Sequence, residues 1–214
     1  MRFRRLRELP RGVLIAFEGI DGGGKTTQMT KTKAYLTGKG YTVKTLQEPT
    51  DGPWGKKIRE MARRGRGGIT PQEELSLFLK DRREDVAHNI RPALKQKKIV
   101  LLDRYYYSTV AYQGALGLDP VKIQKANEVF APRPDLVILL QISPQTGLAR
   151  LKEGRRGETD MAYEQEDYLV RVQEIFDRLK GSHIHRLNAE RLPDEVTAHI
   201  LEVIENLLIE VVNG

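Results

Sequence analysis

Residues 13–26 read Val-Leu-Ile-Ala-Phe-Glu-Gly-Ile-Asp-Gly-Gly-Gly-Lys-Thr, and this stretch decides the fold. The apolar run Val13–Phe17 has the length of a buried strand. Gly19 to Thr26 then match the pattern G-x-x-x-x-G-K-[ST], and a segment with helical periodicity follows directly. In that setting the glycines allow several backbone N–H groups to point at phosphate oxygens, and the helix N-terminus adds partial positive charge. The stretch therefore predicts a strand, a phosphate-binding loop and a helix in succession.

The residues of this loop have distinct chemical roles. Lys25 is expected to reach the β- and γ-phosphates of a nucleoside triphosphate, and the Thr26 hydroxyl is expected to ligate Mg²⁺. The residues predicted to bind the nucleotide phosphates are Gly19, Asp21, Gly22, Gly23, Gly24, Lys25, Thr26 and Thr27. Thr27 stands where a dinucleotide fingerprint needs its third glycine, which argues against a Rossmann-type site. The loop alone leaves a kinase, a GTPase and a nucleic-acid motor open, although the absence of an N-K-x-D motif weakens the GTPase interpretation.

Composition excludes several other classes of protein. The chain has 214 residues and no cysteine, and 36 Lys and Arg against 29 Asp and Glu give a formal net charge of +7. This length suits one α/β domain. Without cysteine there is no disulfide scaffold, thiolate zinc site or cysteine nucleophile. The apolar runs are too short for a membrane span or for the core of a signal peptide, so we expect a cytoplasmic protein with no membrane partner.

Positive charge is concentrated in three clusters, over residues 1–12, 54–68 and 150–156. Because a charge run is usually a solvated face, residues 1–11 are interpreted as a basic N-terminal extension ahead of a single domain over residues 12–214. The third cluster suits a basic lid, over about residues 150–163, that closes on nucleotide phosphates. The charge therefore favours a small polyphosphate as the partner, and a nucleic-acid partner remains a hypothesis about the extension alone.

Strand and helix signals alternate along the rest of the chain. The apolar runs predicted as strands are Val13–Phe17, Thr42–Leu46, Ile99–Leu102, Leu136–Ile142 and Ile184–Leu187. The segments predicted as helices are Lys25–Thr37, Pro71–Lys95, Pro120–Phe130, Pro144–Lys152, Tyr163–Leu179 and Asp194–Val211. Residues 63–68 are the best loop candidate, and Trp54 is assigned to a turn rich in Gly and Pro. This alternation predicts an α/β protein of the P-loop NTPase fold, with a five-stranded parallel sheet flanked by helices.

A second site signal follows the predicted strand Ile99–Leu102. Asp103 comes at the carboxyl end of this strand, where α/β proteins bind ligands, so it is expected to hold Mg²⁺ with Thr26, directly or through water. Arg104 beside it can clamp a phosphate with two parallel hydrogen bonds. The following residues, 105–114, are rich in aromatic and hydroxyl side chains, which suggests a pocket for a planar, polar ligand.

Six motifs occur in order between about residue 13 and residue 190. They are Phe17-Glu18-Gly19-Ile20-Asp21-Gly22-Gly23-Gly24-Lys25-Thr26-Thr27-Gln28, Glu48-Pro49, Phe78-x-x-x-Arg82, Asp103-Arg104-Tyr105, Ser108-Thr109-x-Ala111-Tyr112-Gln113-Gly114 and Arg133-Pro134-Asp135-Leu136. Together they closely resemble the thymidylate (dTMP) kinase family. The fourth and fifth motifs are far more specific than the phosphate loop, and they favour this family over other nucleotide kinases.

The resemblance implies transfer of the ATP γ-phosphoryl group to dTMP with Mg²⁺, giving dTDP and ADP, by a homodimer. It implies catalytic roles for Lys25, Asp103, Arg104, Arg155 and Arg156, with Thr26 and Asp103 at the metal. The residues that it implies for dTMP are Asp21, Glu48, Pro49, Phe78, Arg82, Arg104, Ser108, Tyr112 and Gln113.

The implied contacts with dTMP are specific. Asp21 would accept the 3′-hydroxyl, and Arg104 would hold the acceptor phosphate. Phe78 would stack on thymine, and Arg82, four residues on and on the same helix face, would hydrogen-bond its edge. Tyr112 and Gln113 would line the nucleoside pocket.

Two departures from the family pattern keep other functions open. Where bacterial members often have Arg-Glu-Pro-Gly-Gly, this chain has the segment 47–51, Gln-Glu-Pro-Thr-Asp. Met161 stands where the lid commonly has an arginine, so Arg155 or Arg156 would supply the lid charge. One alternative is a divergent kinase of the same fold with another acceptor. The other is a nucleic-acid-linked P-loop ATPase that uses the basic N-terminus.

Overall fold

The computed structural model describes residues 7–154 and 165–214. Its strands are β1 (Val13–Glu18), β2 (Val43–Gln47), β3 (Ile99–Asp103), β4 (Leu136–Gln141) and β5 (Ile184–Asn188). Its helices are α1 (Lys25–Gly38), α2 (Pro53–Arg64), α3 (Pro71–Asp85), α4 (Arg91–Lys95), α5 (Tyr106–Gly114), α6 (Pro120–Glu128), α7 (Pro144–Gly154), α8 (Glu166–Arg178) and α9 (Pro193–Asn213). A π-helical turn, Val86–Ile90, joins α3 to α4.

The strands form one parallel sheet in the order β2-β3-β1-β4-β5, which confirms the predicted five-stranded α/β architecture. Every residue of β1 and β3 is buried, as expected for strands covered on both faces. In the register, Phe17 on β1 lies opposite Asp103 on β3, and Gln47 on β2 also lies opposite Asp103. The segments that leave β1, β2 and β3 therefore meet at one edge of the sheet, where α/β proteins bind ligands.

Local signals explain where two of the helices begin. Thr70 accepts the backbone N–H of Glu73 at 3.2 Å, and the Glu73 side chain accepts the backbone N–H of Thr70 at 2.8 Å, which forms a capping box in front of α3. Asp119 accepts the backbone N–H of Val121 at 2.9 Å in front of α6. The sequence specifies these helix starts because each signal involves residues close together in the chain.

One prediction about local structure was wrong, and another was correct only in part. Trp54 lies in the first turn of α2 instead of a Gly/Pro-rich turn. The loop predicted over residues 63–68 begins at Gly65, because Arg63 and Arg64 end that helix. Composition misleads here because Gly55 is needed for packing: a Cβ at this position would lie 1.8 Å from the carbonyl oxygen of Thr50. Helix α5 was not predicted either, and it packs with almost all of its residues buried.

Residues 7–11 contact the domain, although all of them except Leu9 are exposed. Leu9 is only 3% exposed. The backbone N–H of Arg7 donates to the carbonyl of Gly40 at 2.9 Å, and Arg11 pairs with Asp135 at 2.7 Å. Buried apolar contact and these polar bonds tie the segment to the body of the protein.

The predicted lid is described only in part. Residues 150–154 continue helix α7, and Arg155, Arg156 and the predicted helix start at Tyr163 lie outside the described residues. Within the ranges that the structure covers, no helix has both the length and the apolar character needed to cross a bilayer.

Candidate active site

The phosphate loop leaves the carboxyl end of β1 and turns into α1. Gly22 has a φ of 80°, and a Cβ at this position would lie 2.4 Å from the carbonyl oxygen of Gly147, so only glycine fits. The backbone N–H of Gln28 donates to the carbonyl of Gly24 at 3.0 Å as the helix begins. The backbone N–H groups of the loop and of the first turn of α1 are therefore those that a phosphate would meet.

Lys25 reaches back over the loop from the first position of α1. Its ammonium group donates to the carbonyls of Gly19 at 3.1 Å and Ile20 at 2.9 Å. Burial, helped by the charge of Arg104, lowers the pKa of Lys25 to about 8, against the opposing effect of nearby carboxylates. Lys25 therefore carries its charge at neutral pH inside a largely desolvated site.

Thr26 and Asp103, the two predicted metal ligands, are in direct contact. The Thr26 hydroxyl donates to Oδ2 of Asp103 at 2.5 Å, although the residues are 77 positions apart in the chain. The β1–β3 register brings Asp103 to the level of the loop. A hydroxyl and a carboxylate oxygen are ligands that Mg²⁺ accepts beside nucleotide phosphates, so this pair fits the ion.

Arg104 follows β3 with a φ of 69°, in the left-handed region that few non-glycine residues occupy. Its backbone N–H donates to the carbonyl of Phe17 at 3.0 Å, which fixes the turn. Its guanidinium donates to Oδ1 of Asp21 at 2.7 Å and to Oγ of Ser108 at 3.0 Å, and it lies 5.2 Å from the centre of the Tyr112 ring. The guanidinium is thereby aimed at the phosphate loop.

Asp21 stays ionised in this position. Burial by itself would raise the pKa of the Asp21 carboxyl, but the combined charges of Arg104 and Lys25 hold that pKa well below its usual range. The Tyr112 hydroxyl donates to the other carboxylate oxygen, Oδ2, at 3.2 Å. Asp21 is thus both an acceptor in the site and an anchor for Arg104.

A cavity of about 560 Å³ opens along these residues. It is lined by Asp21, Gly22, Gly23, Gly24, Lys25, Thr26, Thr27, Gln28, Gln47, Asp103, Arg104, Arg150, Leu151, Ala189, Arg191, Pro193 and Val196. Of the residues predicted for the phosphates, Gly19 is absent from this wall, and its carbonyl instead accepts Lys25. The structure thus brings together around one space the loop, the two predicted metal ligands and the arginine predicted to clamp a phosphate.

The predicted site residues that lie on helix α5 are on two different faces of the helix. Ser108 and Tyr112, four residues apart, face Arg104 and Asp21. Thr109 and Gln113, also four apart, face α3, and Gln113 donates from Nε2 to Glu74 at 2.7 Å. Gln113 is fully buried and lines neither this cavity nor the cavity of about 440 Å³ beside Pro49, so its contact with a nucleoside stays a prediction.

Helix α3 presents Glu74, Phe78 and Arg82 at intervals of four residues, which places them along one face. Phe78 is partly buried against the hydrophobic core. Along this face it lies midway between Glu74 and Arg82, and both of these residues hydrogen-bond to side chains of α5. The predicted pairing of Phe78 and Arg82 on one helix face is therefore correct.

Arg82 is much more enclosed than the predicted contact with a nucleobase edge requires. It is 2% exposed, and it donates to Oε2 of Glu48 at 2.8 and 2.6 Å. It also donates to Oδ1 of Asn127 at 2.5 Å and to Oγ1 of Thr109 at 3.0 Å. Most of its donors are thus already used by protein groups, and a direct contact with ligand stays a prediction.

In contrast to Arg82, whose donors are mostly used, the Glu48 carboxylate has only one oxygen, Oε2, that accepts hydrogen bonds from the described residues. Oε1 is buried without a hydrogen-bond partner among the described residues. Burial, and to a smaller extent the charges of Asp85 and Asp81, raises the pKa of the Glu48 carboxyl despite the charge of Arg82. Glu48 therefore serves in this structure as the anchor of Arg82.

Comparison with known proteins identifies the relatives of this chain. A thymidylate kinase family model matches residues 17–200. A thymidylate kinase of Desulfotalea psychrophila is 46% identical over 197 residues, covering 92% of this chain and 96% of the relative. A probable thymidylate kinase of Archaeoglobus fulgidus is 43% identical over 196 residues, with the same coverage of 92% and 96%. A thymidylate kinase of Akkermansia muciniphila is 45% identical over 190 residues, covering 89% and 90%.

The chain belongs to the thymidylate kinase family. Its departure from the family pattern after β2 has a structural explanation. Thr50 is held by Asp81, through its backbone N–H at 2.8 Å and its hydroxyl at 2.6 Å, and Arg59 donates to the carbonyls of Pro49 at 2.8 Å and Thr50 at 2.7 Å. The Glu48-Pro49 peptide bond is cis. Side-chain bonds thus fix the segment where other family members often have two glycines.

Pro49 lines a second, smaller cavity of about 440 Å³ beside this segment. Its lining residues are Thr45, Leu46, Gln47, Pro49, Thr50, Asp51, Arg59, Asp85 and Asn89. Gln47 also lines the larger cavity, so the two spaces adjoin at the end of β2. Arg59, from the basic cluster over residues 54–68, therefore helps to shape this side of the site.

Two arginines line the larger cavity of this thymidylate kinase family member although the sequence analysis did not assign them to the site. Arg150 donates to the carbonyls of Ala189 at 3.0 Å and Gly22 at 3.4 Å, so it joins the phosphate loop from α7. Arg191 lines the same cavity from the turn after β5. The cluster at residues 150–156 was a signal for Arg150, but a single exposed arginine such as Arg191 has no sequence signal of its own.

Proposed function

We propose that the protein transfers the γ-phosphoryl group of ATP to the phosphate of dTMP and releases dTDP and ADP. One observation carries the proposal: Lys25, the Thr26–Asp103 pair and Arg104 all line one cavity at the carboxyl edge of the sheet. This arrangement offers a cation for the donor phosphates, two oxygen ligands for Mg²⁺ and a cation for an acceptor phosphate. Family membership favours dTMP over other acceptors.

The reaction needs positioning and charge neutralisation more than covalent chemistry from the protein. An oxygen of the acceptor phosphate forms a bond to the γ-phosphorus, the bond to the bridging oxygen breaks, and its electron pair leaves with ADP. No general base is needed, since a phosphate is already largely ionised near neutral pH. Mg²⁺, when bound, supplies positive charge to the donor phosphates beside Thr26 and Asp103.

The protein groups divide this work between the two nucleotides. The loop N–H groups and the ammonium of Lys25 bind the donor phosphates. Arg104 binds the acceptor phosphate and holds it near the γ-phosphate, and Asp21 accepts the 3′-hydroxyl. The region of Phe78 and Arg82 selects the base. Arg155 or Arg156 adds lid charge.

An assay across the common nucleoside monophosphates tests the acceptor. ATP consumption, coupled to ADP detection with Mg²⁺ present, is expected to be fastest with dTMP. Turnover of another monophosphate with none of dTMP would overturn the proposal in favour of a divergent kinase of the same fold. An ATPase activity stimulated by DNA and lost on deleting residues 1–6, which keeps the packed Leu9, would instead favour the nucleic-acid-linked ATPase.

The homodimer implied by the family resemblance has its own test. Light scattering on the purified full-length chain is expected to give twice the mass of 24.4 kDa. A monomer at assay concentrations would refute the dimer without affecting the proposal about the reaction.

A further inference from the structure

Glu18 is the last residue of β1 and has no solvent exposure. Its carboxylate nevertheless accepts three hydrogen bonds. Oε1 accepts the backbone N–H of Tyr105 at 2.9 Å and that of Ser108 at 3.2 Å. Oε2 accepts the Ser108 hydroxyl at 2.5 Å. A buried carboxylate with three donors is a costly group to place in a core, which calls for a reason beyond packing.

The two backbone bonds attach the end of β1 to the start of α5. Tyr105 directly precedes this helix, and Ser108 lies in its first turn, where its N–H is shared between Glu18 and the carbonyl of Tyr105 at 3.1 Å. Glu18 therefore fixes the position of α5 against β1. Arg104 directly precedes the first of these attachments, and its own N–H donates to the carbonyl of Phe17 at 3.0 Å.

The hydroxyl of Ser108 carries the effect of Glu18 to the side chain of Arg104. A guanidinium can only donate, so Ser108 Oγ must accept Nη1–H of Arg104, at 3.0 Å. The single hydroxyl hydrogen of Ser108 is then free to donate to Oε2 of Glu18. Burial raises the pKa of the Glu18 carboxyl, and the hydrogen bond from Ser108 and the charge of Arg104 oppose that rise. The bonds thus run from Arg104 to Ser108 and from Ser108 to Glu18.

Arg104 needs this support because Asp21 holds only the other end of its guanidinium. Asp21 Oδ1 accepts Nη2–H at 2.7 Å, and the Tyr112 hydroxyl lies 3.4 Å from the same nitrogen. At Nη1, Ser108 accepts at 3.0 Å and the carbonyl of Gly19 at 3.3 Å. Contacts at both nitrogens fix the position and the plane of the group. A bidentate clamp on phosphate depends on that plane.

We propose that Glu18 is a positioning residue for acceptor phosphate binding, acting on Arg104 through the hydroxyl of Ser108. The inference rests on the proposed function in assigning the acceptor phosphate to Arg104. It also gives Ser108, predicted to touch dTMP, a different task in the site.

The variants Glu18→Gln, Ser108→Ala and the double variant test this role. Glutamine keeps the shape of Glu18 and an oxygen for the backbone N–H groups, but it presents an NH₂ group to Ser108 and so reverses the hydroxyl bond. Each single variant is expected to lower kcat/KM for the acceptor by about 10- to 100-fold. The dissociation constant of ADP, measured by calorimetry, is expected to stay within about threefold of wild type, because the phosphate loop is intact.

The double variant separates a relay from a general loss of structure. If Glu18 acts through Ser108, the double variant loses no more kcat/KM than the worse single variant. Ser108→Ala leaves the two backbone bonds of Glu18 in place, so it keeps the test available if Glu18→Gln does not fold. Additive losses, a parallel loss of ADP affinity, or wild-type acceptor kinetics in a folded Glu18→Gln protein would overturn the proposal.

Asp135→Asn is the matched control at the opposite end of β1. Oδ2 of Asp135 accepts the backbone N–H of Leu14 at 2.7 Å, far from the cavity residues. This variant is expected to lower the melting temperature and leave the acceptor kcat/KM unchanged. The assays use whichever monophosphate the wild-type protein phosphorylates best, so a failure of dTMP as substrate and a failure of the role of Glu18 are distinct outcomes.

Discussion

Arg104 combines an unusual backbone conformation with side-chain contacts to the groups of the site. Its left-handed backbone, with a φ of 69°, costs about 1–2 kcal/mol. The backbone bond to Phe17 and the side-chain bonds to Asp21 and Ser108 hold it there. The guanidinium is therefore held in a defined direction beside the phosphate loop, as a bidentate contact with phosphate requires.

Arg104→Ala is therefore expected to remove most phosphoryl transfer. We expect kcat/KM for dTMP to fall by about 10²–10³-fold or more, because the acceptor phosphate loses its clamp. The dissociation constant of ADP, measured by calorimetry, should change little. Arg178→Ala, at a side chain 78% exposed, is the matched control and should be silent. Near-wild-type turnover of Arg104→Ala would refute the assignment.

Lys25 gives a pH-dependent prediction. Its pKa is lowered to about 8, first by burial and then by the charge of Arg104. Bound phosphates stabilise the ammonium form, so nucleotide binding takes up a proton only where Lys25 is deprotonated in the free protein. We expect the dissociation constant of ADP to be nearly constant below pH of about 8 and to rise above it.

Calorimetry across that pH range measures the effect. The slope above the pKa should approach about tenfold per pH unit. Lys25→Arg is the control, because its guanidinium stays charged throughout and the rise should disappear. The same rise in both proteins would show that another group is responsible.

At the scale of elements, the buried bonds of Arg82 join three helices to the end of β2. Arg82 on α3 contacts Thr109 on α5, Asn127 on α6 and Glu48 after β2. Asn127 is completely buried, and its Nδ2 donates to the carbonyl of Ile123 at 2.8 Å, which turns its oxygen toward Arg82. Through the Asn127 amide, helix α6 thus supports Arg82 on the proposed acceptor side of the site.

Asn127→Ala is expected to leave a donor of Arg82 unpaired. The free energy of unfolding in urea should fall by about 1–3 kcal/mol, the usual cost of an unsatisfied buried polar group. KM for dTMP should rise, because the guanidinium loses one of its supports. Gln124→Ala on the same helix is the control, since the side chain of Gln124 bonds to the exposed Glu128. Equal effects of both variants would contradict the role of Asn127.

The elements also show where sequence patterns stop being informative. The spacing of Phe78 and Arg82 correctly placed both on one helix face, because periodicity is a local property. For Gln113 the motif indicated the nucleoside pocket, yet the side chain faces Glu74 on α3. Which of two polar faces of α5 meets the cavity depends on how α5 packs against α3, and no local pattern contains that information.

At the scale of the whole molecule, residues 7–11 belong to the fold. Leu9 is buried in the core cluster. Leu9→Ala is expected to lower the free energy of unfolding by about 2–5 kcal/mol, the range for deleting a buried leucine side chain. Urea unfolding measures this, and kcat should be unchanged because Leu9 does not line the cavity.

Leu192→Ala is the control for that prediction, since Leu192 is 68% exposed and should be nearly neutral. A loss of activity in Leu9→Ala without a loss of stability would contradict this account. It would also reopen a direct functional role for the N-terminal segment.

The sequence by itself determined the strand–loop–helix unit at residues 13–26, the parallel α/β sheet and the approach of Thr26 to Asp103. These follow from short-range backbone preferences and from the rule that parallel strands end at one edge. Only the tertiary structure decided that Glu18 supports Ser108, 90 residues away, and that Arg82 bonds Glu48, 34 residues away. The partner of a buried polar side chain is set by long-range packing, because the free energy of burying it depends on which donors and acceptors the fold brings within reach.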